Sequence, residues 1–415
     1  MLYTKIAMAL STQPYKGARD FYPEDKRLQK YIFGVMRGVA ESYGYLEYDA
    51  PILEPTELYA SKTSDEIVNE QTYTFIDRGK RSVTIRPEMT PTVSRMVAAR
   101  RQELPYPLRW YSIPNLWRYE RPQRGRLREH WQLNVDLFGV TDITADFEII
   151  QVADNILQKF KARRDTYTIR VNSRKLMDTF VKDILKLDDV QATTIIRLID
   201  KMHKMDNAEF VGQVDSIFNP TQRENKEPEQ LQMFLKTPSL ADLPDSVKSH
   251  PSVGKLKQLF ELLGSEGVSN AVFDPTLMRG FDYYTDIVFE VFDTHPDNNR
   301  SMFGGGRYDG LVAQFGVEPV PTVGFGMGDV TLQNFLELHD LMPKLSTETD
   351  VCVFLIGDVF TAAQKVVREL REMGLNVAVG LTDQKLDKQI KNAVKNGIKY
   401  VIFIGAKELA SDQFV

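Results

Sequence analysis

The segment from Arg118 to Gln132 reads Arg-Tyr-Glu-Arg-Pro-Gln-Arg-Gly-Arg-Leu-Arg-Glu-His-Trp-Gln, with five arginines and two glutamates around a proline and a glycine. The aromatic run Leu108 to Trp117 precedes it and the alternating run Gln132 to Phe138 follows. Both flanks suit strands, so the charged centre is expected to be a hairpin with its tip at Pro122 to Gly125. Arg118 and Glu120 share parity along an extended chain, which places them on one face. There a planar guanidinium can clamp a phosphate while the carboxylate accepts from an amine. A solvated ion-pair hairpin is the plain alternative while the segment is taken alone.

At 415 residues the chain exceeds what one core organises, and two or three domains are expected. Its longest apolar runs, such as Val351 to Ile356, are far shorter than a membrane span, and the start from Met1 to Leu10 is too short for a secretory signal. The single cysteine, Cys352, excludes an intramolecular disulfide framework and a cysteine-based zinc site; a buried inert thiol and a cytoplasmic setting are expected. A net charge of −5 gives no global sign of nucleic-acid binding, which needs only local basic surface. Two such surfaces exist, the arginine hairpin and the series Lys385, Lys388, Lys391, Lys395 and Lys399.

Apolar spacing predicts a helix from Glu24 to Tyr43 capped at Gly44, a strand over Tyr45 to Asp49, and hairpin arms at Tyr73 to Asp77 and Ser82 to Arg86. Helices over Pro91 to Arg101 and Ala145 to Arg163 and a strand at Tyr167 to Asn172 complete an α+β layer. Between about Ser173 and Gly264 helical periodicity takes over, and strands resume at Ala271 to Pro275 and Tyr283 to Phe292. Phe303 to Gly310, with Gly304-Gly-Gly306, reads as a loop, and Thr322 to Gly328 leads into a helix from Asp329 to about Leu341. From Val351 onward strands and helices alternate, which indicates a small parallel α/β domain.

The cluster Gly324-Phe-Gly-Met-Gly328 is not a dinucleotide fingerprint, and no Gly-Lys-Ser/Thr phosphate loop occurs. Alternating glycines leave one strand face bare, which suits a flat ligand such as adenine or a close strand–helix contact.

The strand at Pro51, the arginine hairpin and the glycine strand, in that order, resemble the three signature motifs of class II aminoacyl-tRNA synthetases. Leu277-Met-Arg-Gly-Phe-Asp-Tyr-Tyr-Thr285 with Val288-Phe-Glu290, Gly305-Gly-Arg-Tyr-Asp-Gly-Leu311, Lys16 to Pro23 and Thr84-Ile-Arg-Pro-Glu88 are similar to the histidyl-tRNA synthetase family. The resemblance spans nearly the whole chain. It implies an antiparallel-sheet class II catalytic domain (1–172 and 265–342), a helical insertion (173–264) and a C-terminal α/β anticodon-binding domain (350–415).

Carried over, the resemblance implies that Arg118 and Arg279 neutralise the ATP α-phosphate as catalytic residues, with Glu120 near the adenine amine. Glu88 would take the histidine α-amino group, with Thr90, Gln132 and Asp136 completing that pocket; Tyr283, Tyr284 and Tyr308 would line the imidazole site. The family usually has glutamate where Asp136 stands. Arg126, His130, Gly326 and Gly328 belong to the implied ATP site, and Gln123, Arg128, Lys388 and Lys395 to the implied tRNA contacts. ATP is the implied co-substrate with Mg²⁺ bridging its phosphates, tRNA-His the implied partner, and the first motif implies a homodimer. No protein ligand for a metal is assigned.

Two departures from the family pattern stand out, both toward ATP. Val330 and Thr331 replace the usual Glu-Arg of the third motif, and His130 takes the place of the adenine-stacking aromatic. His130 or Arg126 is expected to cover part of that loss. The alternative is a non-catalytic histidine-sensing paralogue, like the regulatory subunit of ATP phosphoribosyltransferase; the Arg279-Gly280 pair and the α/β domain weigh against it.

Overall fold

The computed structural model describes residues 10–60, 71–278, 283–298, 300–382, 384–411 and 413–414. Arg279, the implied catalytic arginine, lies outside the described residues. The chain divides into two compact units, Met1–Asp20 with Ile32–Met342 and Phe21–Tyr31 with Pro343–Val415. The first turns of helix α1 (Pro23–Ser42) therefore group with the C-terminal unit, where Arg27 pairs with Glu348 at 2.9 Å.

The first unit is built on a nine-stranded sheet. Its strands are β1 (Leu46–Glu47), β5 (Leu108–Ser112), β6 (Asn115–Trp117), β7 (Glu129–Phe138), β8 (Tyr167–Ser173), β9 (Ala271–Phe273), β10 (Ile287–Asp293), β11 (Ser301–Arg307) and β12 (Thr322–Gly328). Their order is β1-β5-β7-β12-β11-β10-β8-β9, with β6 also on β7. Only the outer pairs β1–β5 and β8–β9 are parallel. A separate antiparallel sheet holds β2 (Leu53–Pro55), β4 (Ser82–Ile85) and β3 (Tyr73–Ile76) in that order.

Helix α2 (Thr90–Ala99) follows β4, and α3 (Ile143–Lys159) packs Ile149, Ile150, Ala153, Ile156 and Leu157 into the core beneath the sheet. Asp142 starts α3 by accepting from the Thr144 N–H at 3.0 Å. Every regular element between β8 and β9 is helical. The segment opens with α4 (Arg174–Thr179) and α5 (Asp189–Lys201) and closes with α6 (Pro251–Ser265). The helical periodicity expected from about Ser173 to Gly264 falls between these two adjacent strands of one sheet.

Gly304-Gly-Gly306 does not form a loop: it is the middle of β11, a central strand between β10 and β12. A Cβ at Gly305 would stand 2.0 Å from the Gly324 carbonyl oxygen, and one at Gly306 would stand 2.6 Å from the Ile287 carbonyl oxygen. Glycine is there because no side chain fits, not because the backbone turns. Tyr283 to Asp286, expected at the head of β10, precede the strand instead; the ladder begins at Ile287 opposite Ser173.

The second unit carries a parallel sheet in the order β14 (Val377–Val379), β13 (Val351–Ile356), β15 (Tyr400–Gly405), with helices α8 (Phe360–Glu372) and α9 (Leu386–Lys395) after α7 (Asp329–Leu338) of the first unit. Alternate residues of β13 feed two apolar clusters, Val351 and Val353 in one and Cys352 and Phe354 in the other, so the sheet is covered on both faces. The Cys352 thiol is buried and its pKa is pushed up by that burial, as the inert reading requires.

Candidate functional site

The site grows from the pairing of β7 with β12, which sets Asp136 opposite Gly324, Asn134 opposite Gly326 and Gln132 opposite Gly328. The even-numbered residues of β7 share one face. The glycines make room for them: a Cβ at Gly324 would lie 2.2 Å from Asp136 Oδ1, and one at Gly326 would lie 2.4 Å from Gln132 Nε2. The bare strand face is thus occupied at Gly324 and Gly326 by polar side chains, while Gly328 is the residue before α7. Asn134, missed in the sequence, locks this row; it accepts from Gln132 Nε2 at 2.7 Å and donates to the Gln132 carbonyl at 3.0 Å.

Asp136 is buried, and the Tyr308 hydroxyl donates to its carboxylate. Burial pushes the Asp136 pKa up to about 7, with the Tyr308 hydrogen bond opposing. Tyr283 packs against Tyr284 and Tyr308 at ring separations of 4.9 and 5.7 Å, and its hydroxyl reaches Glu88 Oε2 at 3.5 Å. Gly306 gives Tyr284 its seat, since a Cβ there would be 2.9 Å from the ring. Two buried carboxylates and three tyrosines therefore converge, with Thr90 beginning α2 two residues beyond Glu88.

Glu88 is held by the residue two before it. Arg86, buried, donates to the carbonyls of Asn115 (3.0 Å) and Ala50 (2.6 Å) and to Asp49 (3.1 Å), fixing the turn between β4 and α2. Arg118 donates from Nε to the Pro87 carbonyl at 2.9 Å, so a cation is fastened to the backbone of the residue before Glu88. Sequence spacing could not show this pairing of neighbouring segments.

The hairpin closes where expected, with Gln123 and Arg126 bridging backbone to backbone around the tip. The simple alternation fails at Glu120, whose N–H folds back onto the Arg118 carbonyl at 2.8 Å, so shared parity is not what relates the two side chains. The Glu120 carboxylate instead faces Arg126, 3.7 Å away. At the tip Gly125 adopts φ +78° and lies against α7; a Cβ there would meet Asn334 Nδ2 at 3.6 Å and the Thr331 methyl at 3.7 Å. The Thr331 hydroxyl donates within the protein, to the Met302 carbonyl at 2.9 Å.

His130 cannot replace a lost positive charge. Burial, and then the guanidiniums of Arg118 and Arg19, push its pKa down to about 3, so the ring is neutral near pH 7. Arg128, expected to face tRNA, is engaged within the protein: its guanidinium lies 4.0 Å from the Tyr119 ring and donates to the Tyr15 hydroxyl at 3.0 Å and the Glu120 carbonyl at 3.1 Å. In the second unit Lys388, Lys391 and Lys395 are exposed along α9, whereas Lys385 is its N-cap and Lys399 lies beyond its end. Among the described residues no group of three or more His, Cys, Asp or Glu is placed to hold a metal ion.

The mixed, largely antiparallel sheet, with an arginine hairpin and a glycine strand side by side at its centre, defines a class II aminoacyl-tRNA synthetase catalytic domain. The family described as Histidyl-tRNA synthetase matches residues 17–330, and the Anticodon binding domain matches residues 350–415. The chain belongs to the histidyl-tRNA synthetase family. A Leptospira biflexa protein named Histidine--tRNA ligase is 46% identical over 408 residues, 97% of this chain and 92% of the relative. A protein of that name from Haloarcula marismortui is 36% identical, covering 96% of this chain and 91% of the relative. The solved histidyl-tRNA synthetase of Nostoc sp. PCC 7120 shares the fold, with a TM-score of 0.80 and 24% identity over 97% of this chain and 94% of that one.

Proposed function

We propose that the protein activates L-histidine with ATP, forming histidyl-adenylate and pyrophosphate, and transfers histidine to the 3′ end of tRNA-His. The observation that carries the substrate is the cup of Glu88, Asp136, Tyr283, Tyr284 and Tyr308. A buried carboxylate such as Glu88 matches an ammonium group. Asp136, with Tyr308 donating to it, keeps acceptor capacity for an imidazole N–H. A site built to hydrogen-bond a side chain rejects analogues lacking those groups, by about 10⁴ or more.

In this reading the activation step needs no nucleophilic side chain. Histidine's carboxylate is held in line with the α-phosphate, and positioning with charge neutralisation supplies the rate. Arg118, anchored on the Pro87 carbonyl, brings one positive charge to that junction, and Arg279 a second. Arg126, the exposed member of the Glu120 pair, is the cation available to the outer phosphates near Thr331. Mg²⁺ bound with ATP would supply further charge neutralisation at the phosphates, and no protein ligand is assigned to it.

The catalytic domain is assigned to 1–172 with 265–342, the acceptor-arm side to the insertion 173–264, and phosphate contacts to Lys388 and Lys395 of the anticodon-binding domain at 350–415. Gln123 at the exposed hairpin tip is the acceptor-end contact, with Arg128 supporting the hairpin from behind. Ile52, Leu53, Phe75 and Ile76 expose apolar surface on the small β2-β4-β3 region, which supports a homodimer. Light scattering at micromolar concentration is expected to give twice the chain mass; a monomer mass contradicts the dimer. No helix among the described residues is long and apolar enough to cross a membrane, and translation in the cytoplasm is the proposed setting. The activation reading is tested by amino-acid-dependent ATP–pyrophosphate exchange, expected with histidine alone; histidine binding without exchange would move the assignment to a sensor.

A further inference from the structure

Asp286 stands two residues beyond Tyr284 and is 1% exposed. Its carboxylate accepts from the Ser173 hydroxyl at 2.8 Å and from Lys255 Nζ at 3.2 Å, and Lys175 Nζ lies 3.4 Å away. These partners all belong to the helical segment or its root. Ser173 is the N-cap of α4 and also accepts from the Leu176 N–H at 3.3 Å, Lys175 is on α4, and Lys255 is on α6. The Asp286 carbonyl takes the Arg174 N–H at 2.9 Å, so backbone and side chain both seat on the same junction. Two residues of this junction also reach the segment's other flank: Asn172 donates to the carbonyls of Pro275 (3.2 Å) and Leu277 (3.0 Å), and Arg174 to that of Met278 (3.1 Å).

One residue before Asp286, Thr285 turns these contacts toward the pocket. Its N–H donates to the Arg307 carbonyl at 2.7 Å, and its hydroxyl accepts from the Asp309 N–H at 3.2 Å. Tyr308 lies between those two partners and donates to Asp136. Lys175, Lys255, Asp286 and Thr285 therefore form a continuous chain from two helices of the segment to the tyrosines of the pocket.

We propose that Asp286 is a latch through which the helical segment between β8 and β9 positions Tyr284 and Tyr308, so that the seating of these helices sets the affinity for histidine. The inference rests on reading the pocket as the histidine site. Lys175 and Lys255 act as positioning residues: they touch no substrate, and they hold a buried carboxylate that is costly to leave unpaired. Removing both lets Asp286 seek water and carries Thr285 and the tyrosines with it. Because coupling of this kind is reciprocal, a ligand that reseats the helices changes histidine affinity, and histidine changes its affinity in turn.

The test is the double variant Lys175→Met, Lys255→Met in the full chain. Both side chains are about half exposed, at 52% and 45%, so methionine at either site meets no tightly packed surroundings. Wild-type exchange with histidine is run first, and its absence would count against the proposed reaction, not the latch; histidine calorimetry then replaces kinetics as the readout. The latch predicts that the double variant raises the histidine KM about tenfold or more, with the ATP KM within about twofold. Restoring charge at one site, as Lys175→Met with Lys255→Arg, recovers most of the loss. An unchanged histidine KM, or histidine and ATP KM values rising together with a lowered Tm, overturns the proposal and leaves a triad that only stabilises the fold.

Discussion

Replacing Asp136 by Asn should stabilise the protein while removing its activity. Burial raises this carboxyl from the ordinary 3.8 to about 7. A raised carboxylate pKa means that the folded protein holds the proton more tightly than the unfolded chain. Wild-type stability from this group is therefore fully present below pH 4, falls as pH rises toward 7, and is constant above. About three units at ~1.4 kcal/mol each make the ionised group cost up to about 4 kcal/mol at pH 8. The Tyr308 hydrogen bond is already counted in that shift. Asn keeps the shape and still accepts from Tyr308 but carries no charge, so Asp136→Asn should melt higher than wild type at pH 8 and equal to it near pH 4. Histidine-dependent exchange should fall by about 10²-fold or more, because the acceptor for the imidazole is lost. The assay is a pair of melting curves at pH 4.5 and 8 beside the exchange rate. A variant that is less stable than wild type at pH 8 refutes the argument that burial strains this carboxylate. The trade of stability for function is the usual signature of such groups.

Two further outcomes follow from the same geometry. Gly324→Ala places a Cβ 2.2 Å from Asp136 Oδ1 and 2.6 Å from the Val135 carbonyl, so it should lose histidine binding and at least the ~1–3 kcal/mol of an overpacked core, read by calorimetry and melting. Lys388→Glu with Lys395→Glu should leave exchange untouched, weaken tRNA binding, and flatten its salt dependence by roughly one unit of slope per lost phosphate contact; unchanged salt dependence would remove α9 from the interface.

The outline of the fold was legible wherever a single periodicity ran for several turns or strands. Helix α1, with Gly44 at φ +80° just past its end, falls within a few residues of its predicted bounds, and the strand–helix alternation expected from Val351 onward is the β13-α8-β14-α9-β15 unit. Phe303 to Gly310 failed because glycine signals both turns and close strand approach, and only the position of Gly324 in the next strand decides between them. The pocket residues Glu88, Asp136, Tyr283, Tyr284 and Tyr308 were named from motif resemblance, and the structure brings them together. What holds them was not legible. Arg86 on the Ala50 carbonyl, Arg118 on the Pro87 carbonyl and Lys255 on Asp286 join segments 31 to 36 residues apart, and no local pattern encodes such a meeting. The surroundings of Arg128 and His130 were equally illegible: Arg128 lies over the Tyr119 ring, and burial beside two arginines keeps the His130 ring neutral.

The most direct measurement is ATP–pyrophosphate exchange with each of the twenty amino acids supplied separately at millimolar ATP. The account predicts exchange with histidine alone, which would also show that Thr331 is compatible with ATP use. Exchange with another amino acid, or none while histidine binds by calorimetry, would contradict it.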